Sequence, residues 1–401
     1  MEADRTQGTR TAAFRRRINL RSARLGLALS GGGVRALVFH LGVIRRLASD
    51  RMLESVEVLS TVSGGSLAIA LILGRGGQWP ASREYEAIFR EIQELVTAKS
   101  LQLRSLRRLL GLLLVEPSVV FNRARAVSEA LRRDFGVTLE LLDLPQLPQW
   151  ILNATCYESG KNWRFSRSEI GDYIIGRIPT PSGFSVADAA AASAAFPGGI
   201  GPLVVRPRML GYRDLCSTGK DGQAELRRAA KLHLWDGGVY DNLGLEPLLK
   251  PNEDKARNAE LVLVSDASAR LALEFRRRRA GLRLVNTATD QVRALRSRMA
   301  IAQFSDEHKK AAGSLFRIGQ TAGEIFEKAG VQMPTDWKHE QHQSSAEARA
   351  AGSLGTTLKR LSRAEFDLLA RNGFEVAGAT LAAYWPEAQL PSRGWSQLPA
   401  R

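Results

Sequence analysis

LGLALSGGGVRALVFHLGVIRRLA, residues 25–48, decides the fold. Its first residues are an apolar run too short for a helix. Gly31-Gly32-Gly33 break that run, and from Val34 onward Leu37, Leu41, Ile44 and Leu47 recur at helical spacing. The same order returns in VEVLSTVSGGSLAIALIL, residues 56–73, where a β-rich run meets Gly64-Gly65 and passes into an apolar helix. Strand, glycine turn and helix, twice in succession, predict an α/β fold with a mostly parallel sheet covered by helices. Ligands of such sheets bind outside the carboxyl ends of the strands, which here are the two glycine turns.

Working outward, residues 82–97 read as an amphipathic helix and 101–115, LQLRSLRRLLGLLLV, as an apolar helix with an Arg stripe. Pro117 stops that helix, and 118–134 resumes a basic helical pattern. Further strands are expected at 149–157, 163–166, 231–236 and 260–266, with a small-residue helix at 187–196. A basic helical stretch covers 273–303, and a helical pair, 357–371 and 374–384, follows later. Residues 335–350 are polar and lack a period. One domain over 25–384 accommodates these elements. A flexible basic arm is expected at 1–24, a lid or loop insertion at 311–355 and a tail at 385–401.

The 401 residues are 44% hydrophobic and include two cysteines, Cys156 and Cys216, which excludes a disulfide framework and a CxxC metal knuckle. Residues 1–17 have charge but no apolar core of a secretory signal, and no uncharged run reaches the about 18–20 apolar residues of a membrane span. A cytoplasmic protein, peripheral to a membrane, is the expectation. The formal net charge is +16, and it is clustered. Seven Arg stand against Glu2 and Asp4 in 1–24; eight Lys/Arg stand against Glu116 and Glu129 in 99–133; nine Arg stand against Glu274 and Asp290 in 270–298. Such a distribution suits a polyanionic partner, either an anionic lipid surface or nucleic acid, or a solvated basic surface.

Three segments carry chemistry. Ser63 stands where the second strand turns into its helix, the place of an exposed nucleophile, with Gly65 two residues on but Thr61 rather than glycine two residues before. Helix capping is the competing role for Ser63. The Gly31–Gly33 turn can aim backbone N–H groups at an anion, with Arg35 one turn into the helix. It lacks the Lys-Ser/Thr of a phosphate-binding Walker loop and the spacing of a dinucleotide fingerprint. Asp236-Gly237-Gly238, after an apolar run, reads either as a tight turn or as a general base at a strand end. The five histidines, His40, His233, His308, His339 and His342, include no evident base for Ser63.

In this order, a G-G-G-x-R loop, a turn close to G-x-S-x-G and a D-G-G motif, the three segments resemble the patatin-like phospholipase family in its bacterial branch. LNATCYESGKNWRFS (152–166), Ala192–Pro197, DGGVYDNLG (236–244) and 366–384 extend the resemblance over roughly residues 25–384. It implies a three-layer α/β/α fold and a serine acyl hydrolase of phospholipase A or lysophospholipase type. It also implies that Ser63 attacks the ester and Asp236 takes its proton. Gly31, Gly32 and Gly33 would hold the oxyanion, and Arg35 would hold that loop or a lipid phosphate. No metal and no cofactor are implied. The partners expected are a phospholipid or other acyl ester and an anionic membrane surface, and not nucleic acid; 99–133 reads either as the surface-binding element or as a helical pair packed on the core with its Arg solvated. Two other readings stay open: a Ser–His–Asp esterase running Ser63, Asp236 or Asp266, His308, and a basic nucleic-acid-binding protein on an inactive hydrolase scaffold.

Overall fold

The computed structural model describes residues 19–395 except 21, 75, 198, 207–230, 251–255, 269–279 and 306–311, with backbone alone at 280–286, 303 and 305. The expected basic arm therefore lies outside the described residues apart from its last few, of which Leu20 and Ala23 are buried.

Ten strands are described: β1 (Leu25–Leu29), β2 (Val56–Val62), β3 (Gln149–Cys156), β4 (Asn162–Phe165), β5 (Glu169–Asp172), β6 (Gly176–Pro179), β7 (Leu203–Val205), β8 (Leu232–Asp236), β9 (Leu261–Asp266) and β10 (Ala312–Arg317). They form one sheet in the order β10-β9-β1-β2-β3-β4-β5-β6, parallel from β10 to β3 and antiparallel beyond. Around it lie α1 (Gly33–Ser49), α2 (Gly64–Leu73), α3 (Tyr85–Ala98), α4 (Leu101–Val115), α5 (Ala124–Phe135) and α6 (Val186–Ser193). The later helices are α7 (Gly238–Asp241), α8 (Ala280–Ser305), α9 (Ala322–Ala329), α10 (Thr335–His339), α11 (Ser345–Ser353) and α12 (Arg363–Tyr384).

Strand residues alternate between two cores. Leu25, Leu27, Leu59 and Leu263 pack with α1, α2 and α12; Ala28, Val58, Val262 and Val264 pack on the other face with Leu248, Ala300 and Phe304. Helices on both faces explain why the central strands read as near-continuous apolar runs.

The position of the site follows from how β3 shares one edge. Its first half pairs with β2 up to Val62 opposite Asn153. There β2 ends and the chain turns into α2. The same edge of β3 is then taken up by β8, antiparallel, with Asp236 opposite Ala154, the next residue along. The turn after β2 and the end of β8 are thereby brought together.

Three expectations are corrected. Residues 312–353 are not a structureless loop: β10 is the sheet edge, paired in register with β9, and α9, α10 and α11 follow. AGSLFR is too short and too mixed to read as a strand, while α9 and α11 are short helices that start at reciprocal caps, Thr321 with Glu324 and Ser344 with Glu347. The pair 357–371 and 374–384 is one helix, α12, because Gly373 is a contact point rather than a break. A Cβ there would collide with the Phe39 carbonyl oxygen, and one at Gly42 would collide with that of Ala370. Residues 385–395 are not a loose tail. Trp385 is buried, the Arg45 guanidinium stacks on Trp395 at 4.2 Å, and Arg46 donates to the Pro391 carbonyl at 2.8 Å.

Candidate active site

Ser63 has φ 49° and ψ −113°, a conformation that a residue with a side chain adopts at a cost of about 1–3 kcal/mol. It stands at the N-cap position of α2, yet its side chain caps nothing. Its side chain instead acts on the Asp236 carboxyl, favouring the charged form. The turn needs its glycines: a Cβ on Gly64 would collide with the Gly33 carbonyl oxygen, and one on Gly65 would lie 2.5 Å from that of Leu29.

A chain of buried hydroxyls holds this turn. The Ser63 N–H donates to Ser193 Oγ at 2.9 Å, and the Ser193 hydroxyl donates to the Asn153 carbonyl at 2.6 Å. Since its one proton is thereby used, Ser66 donates to Ser193 at 2.8 Å and Thr61 donates to Ser66 at 2.8 Å. Trp150 Nε1 closes the chain on Thr61 Oγ1 at 2.9 Å. Thr61, the departure from the glycine pattern, thus supplies a hydroxyl at the base of the turn. Ser193 carried no signal beyond its place in the Ala-Ser-Ala-Ala-Phe-Pro run, because a serine among alanines reads as packing.

Asp236 is 5% exposed, and burial pushes its carboxyl up to about 6 despite the hydrogen bond from the Gly238 N–H at 2.7 Å and the smaller opposing effect of Ser63. A carboxylate of that affinity is a better proton acceptor than an ordinary aspartate. Gly237 lets β8 lie against β3, for a Cβ there would collide with the Asn153 carbonyl oxygen.

The glycine loop lies beside both. An ideal Cβ on Gly31 would be 3.2 Å from the Ser63 Cβ, and one on Gly64 3.1 Å from the Gly33 nitrogen. The Gly31 N–H is taken by the Asn242 carbonyl at 3.0 Å, whereas those of Gly32 and Gly33 have no acceptor among the described residues. Gly32 and Gly33 have φ 146° and 64°. Asn242, for which the sequence suggested no role, spans the site. Its Nδ2 donates to Ser268 at 2.7 Å, and its Oδ1 leaves no room for a Cβ on either Gly31 or Gly238.

Arg35 serves the loop. Its Nε donates to the Ala267 carbonyl at 3.1 Å and its Nη1 to that of Leu354 at 2.6 Å; burial lowers its pKa to about 10. Of the histidines, His40 is fully buried, donates from Nε2 to the Ser30 carbonyl at 2.9 Å and accepts at Nδ1 from Ser265 at 2.8 Å. Burial holds it neutral, with a pKa lowered to about 4. His233 pairs with Glu158 at 2.7 Å, and His342 donates to the Trp337 carbonyl at 2.8 Å. His308 lies outside the described residues. Asp266 is held by Arg293 at 3.0 Å.

A central, mostly parallel sheet with a serine on a strained strand-to-helix turn, a glycine loop and a buried carboxyl define a hydrolase-like α/β protein. The family model for patatin-like phospholipase matches residues 27–249, more than half of the chain, and the chain belongs to that family. No curated protein sequence matches it. Among solved structures, human GIVD cytosolic phospholipase A2 shares its fold at a TM-score of 0.54 and 14% identity, over 97% of this chain and 67% of that one. The same human enzyme with methyl gamma-linolenyl fluorophosphonate is similar at a TM-score of 0.49 and 16% identity, covering 98% and 65%. VipD from Legionella pneumophila follows at 0.36 and 14%, covering 90% and 66%. The chain spans about two thirds of the length of these structures.

Proposed function

We propose that the protein is a carboxylic ester hydrolase of phospholipase A or lysophospholipase type working through a Ser63–Asp236 dyad. The observation that carries this reading is that Ser63, on a strained turn its side chain does not cap, is brought by the shared edge of β3 beside a buried carboxyl whose pKa is raised to about 6.

Ser63 Oγ attacks the ester carbonyl while its proton passes to Asp236. The negative charge that develops on the carbonyl oxygen is met by the N–H groups of Gly32 and Gly33, aided by the N-terminus of α1. Asp236 returns the proton to the departing alcohol and leaves an acyl-Ser63. Water, losing its proton to Asp236, attacks that ester, and the proton then returns to Ser63 as the fatty acid departs. Arg35 and Asn242 hold the loop in which this happens.

Membership of the family supports a lipid acyl ester as substrate, and the clustered positive charge supports an anionic membrane surface rather than nucleic acid. The motif trio also carries our assignment to the bacterial branch. No helix among the described residues is long and apolar enough to cross a membrane, in keeping with a peripheral, cytoplasmic enzyme.

The test is fatty acid release from anionic phospholipid vesicles by wild type and Ser63→Ala. Release by wild type alone supports the reading. Equal release by both, or none by either, overturns it.

A further inference from the structure

The helix α4 is apolar on its outer face as well as on its inner one. A surface helix ordinarily faces its apolar stripe to the core and its charges to water. In α4, Arg104 and Arg108 point inward, to Asp134 of α5, at 3.5 and 3.2 Å. Leu103, Leu106, Leu110 and Leu114, three or four residues apart, face outward and are 57%, 51%, 58% and 89% exposed. Past Pro117 the stripe continues in Val120 and Phe121, 45% and 74% exposed. Arg107 lies on the same outer face, and Arg125 and Arg133, paired with Glu116 and Glu129, lie nearby in the chain with side chains 42% and 67% exposed.

We propose that this face docks the protein on an anionic lipid bilayer. The leucines and Phe121 enter the boundary between headgroups and acyl chains, and Arg107, Arg125 and Arg133 lie at the headgroup level. Charge complementarity chooses the occupant. Residues 99–134 carry eight Lys/Arg against Glu116, Glu129 and Asp134, so a second copy of the chain would set this basic face against itself. Anionic lipid satisfies the leucines and the arginines together. The choice of lipid rests on the acyl-hydrolase reading.

Both ends of the stripe are tied to the site. At one end the Gln102 N–H donates to the Leu358 carbonyl at 2.8 Å, and the neighbouring Thr357 carbonyl accepts from the Val34 N–H at 2.9 Å, next to Gly33. At the other, Asn122 Oδ1 accepts from the Val204 N–H of β7 at 2.9 Å. β7 pairs with β8, whose last residue is Asp236. The docking face is therefore joined to the glycine loop and to the strand of the general base.

The experiment is cosedimentation of the full chain carrying Ser63→Ala with vesicles of phosphatidylcholine alone or mixed with phosphatidylglycerol. No lipid is consumed through Ser63, so docking is measured whether or not the dyad reading holds. The expected result is tighter binding to the mixed vesicles, weakened at least about ten-fold by Leu110→Glu with Leu114→Glu at an unchanged thermal midpoint. A Leu114→Trp variant should show a blue shift of its emission on the mixed vesicles. Unchanged affinity in the double variant, or no shift of emission from the introduced indole, overturns the proposal. So does a wild-type dimer that the double variant converts to monomer, since a second copy then owns the face. Binding that depends on α4, with no hydrolysis by the wild type, sinks the dyad reading alone.

Discussion

The hydroxyl of Ser193 accepts the main-chain N–H of Ser63 at 2.9 Å, so the strained turn is held by a residue on another helix. Removing that acceptor leaves the Ser63 N–H and the Ser66 hydroxyl without their partner. Ser193→Ala should cost about 1–3 kcal/mol of stability and lower kcat on a soluble ester more than it changes KM. Thr61→Gly, which restores the family's glycine, should lower the melting temperature and bring no gain in rate, because Trp150 Nε1 and Ser66 lose Thr61. A faster or more stable Thr61→Gly enzyme would refute the role given to the hydroxyl chain.

On the proposed dyad, Asp236 sets the pH dependence. As a base it must be ionised, so kcat/KM on a short soluble ester should fall as pH drops through about 6. Its pKa is raised by burial from 3.8 to about 6, so the folded state holds the proton more tightly than the unfolded state. The cost of the buried carboxylate is absent below pH 3.8, grows between the two values and is complete above about 6. Asp236→Asn should be inactive yet more stable at pH 8, by up to about 3 kcal/mol. That advantage should vanish as pH falls toward 4 in paired melting curves; a constant difference would contradict the assignment.

Gly33→Ala would require φ 64° with a Cβ 2.6 Å from the Thr357 carbonyl oxygen. It should lose about 10²–10³ in kcat, as other oxyanion sites do when a donor is lost. Arg35→Lys keeps the charge but cannot reproduce the two-carbonyl hold. Lower kcat and a lower melting temperature, with KM unchanged on anionic and neutral lipids alike, are expected. A rise in KM confined to anionic lipids would put Arg35 on the substrate.

Histidine replacement separates the dyad from a triad. His233→Ala, His308→Ala, His339→Ala and His342→Ala should each retain wild-type kcat. His40→Ala should lose stability along with any rate, since both ring nitrogens brace the strands behind the loop. A folded variant at any of the other four positions that loses all activity would establish a triad base.

The two glycine turns were legible because a strand that must bend sharply beside another backbone leaves glycine as its trace: Gly31, Gly64 and Gly65 each face atoms that exclude a Cβ. What joins the turns was not. Ser193, Trp150 and Asn242 act between elements through hydrogen bonds, which impose no period and no spacing on the chain. β10 was hidden for a related reason. As an edge strand its sequence AGSLFR answers to one neighbour, and its pairing with β9 is set by tertiary contact rather than by local preference. Gly373 misled in the opposite sense, since a glycine that admits a second helix looks, in sequence, like one that ends its own.

The brace on the glycine loop has a consequence in time. Val34 and Arg35 are held by carbonyls at Thr357 and Leu354, and α1 is backed by α12, which ends at Tyr384. A ribosome makes Ser63 and the loop first and their supports last. While the chain is being made, Ser63 and the glycine loop exist without that frame, and the arrangement of the site is completed only when almost all of these residues have emerged.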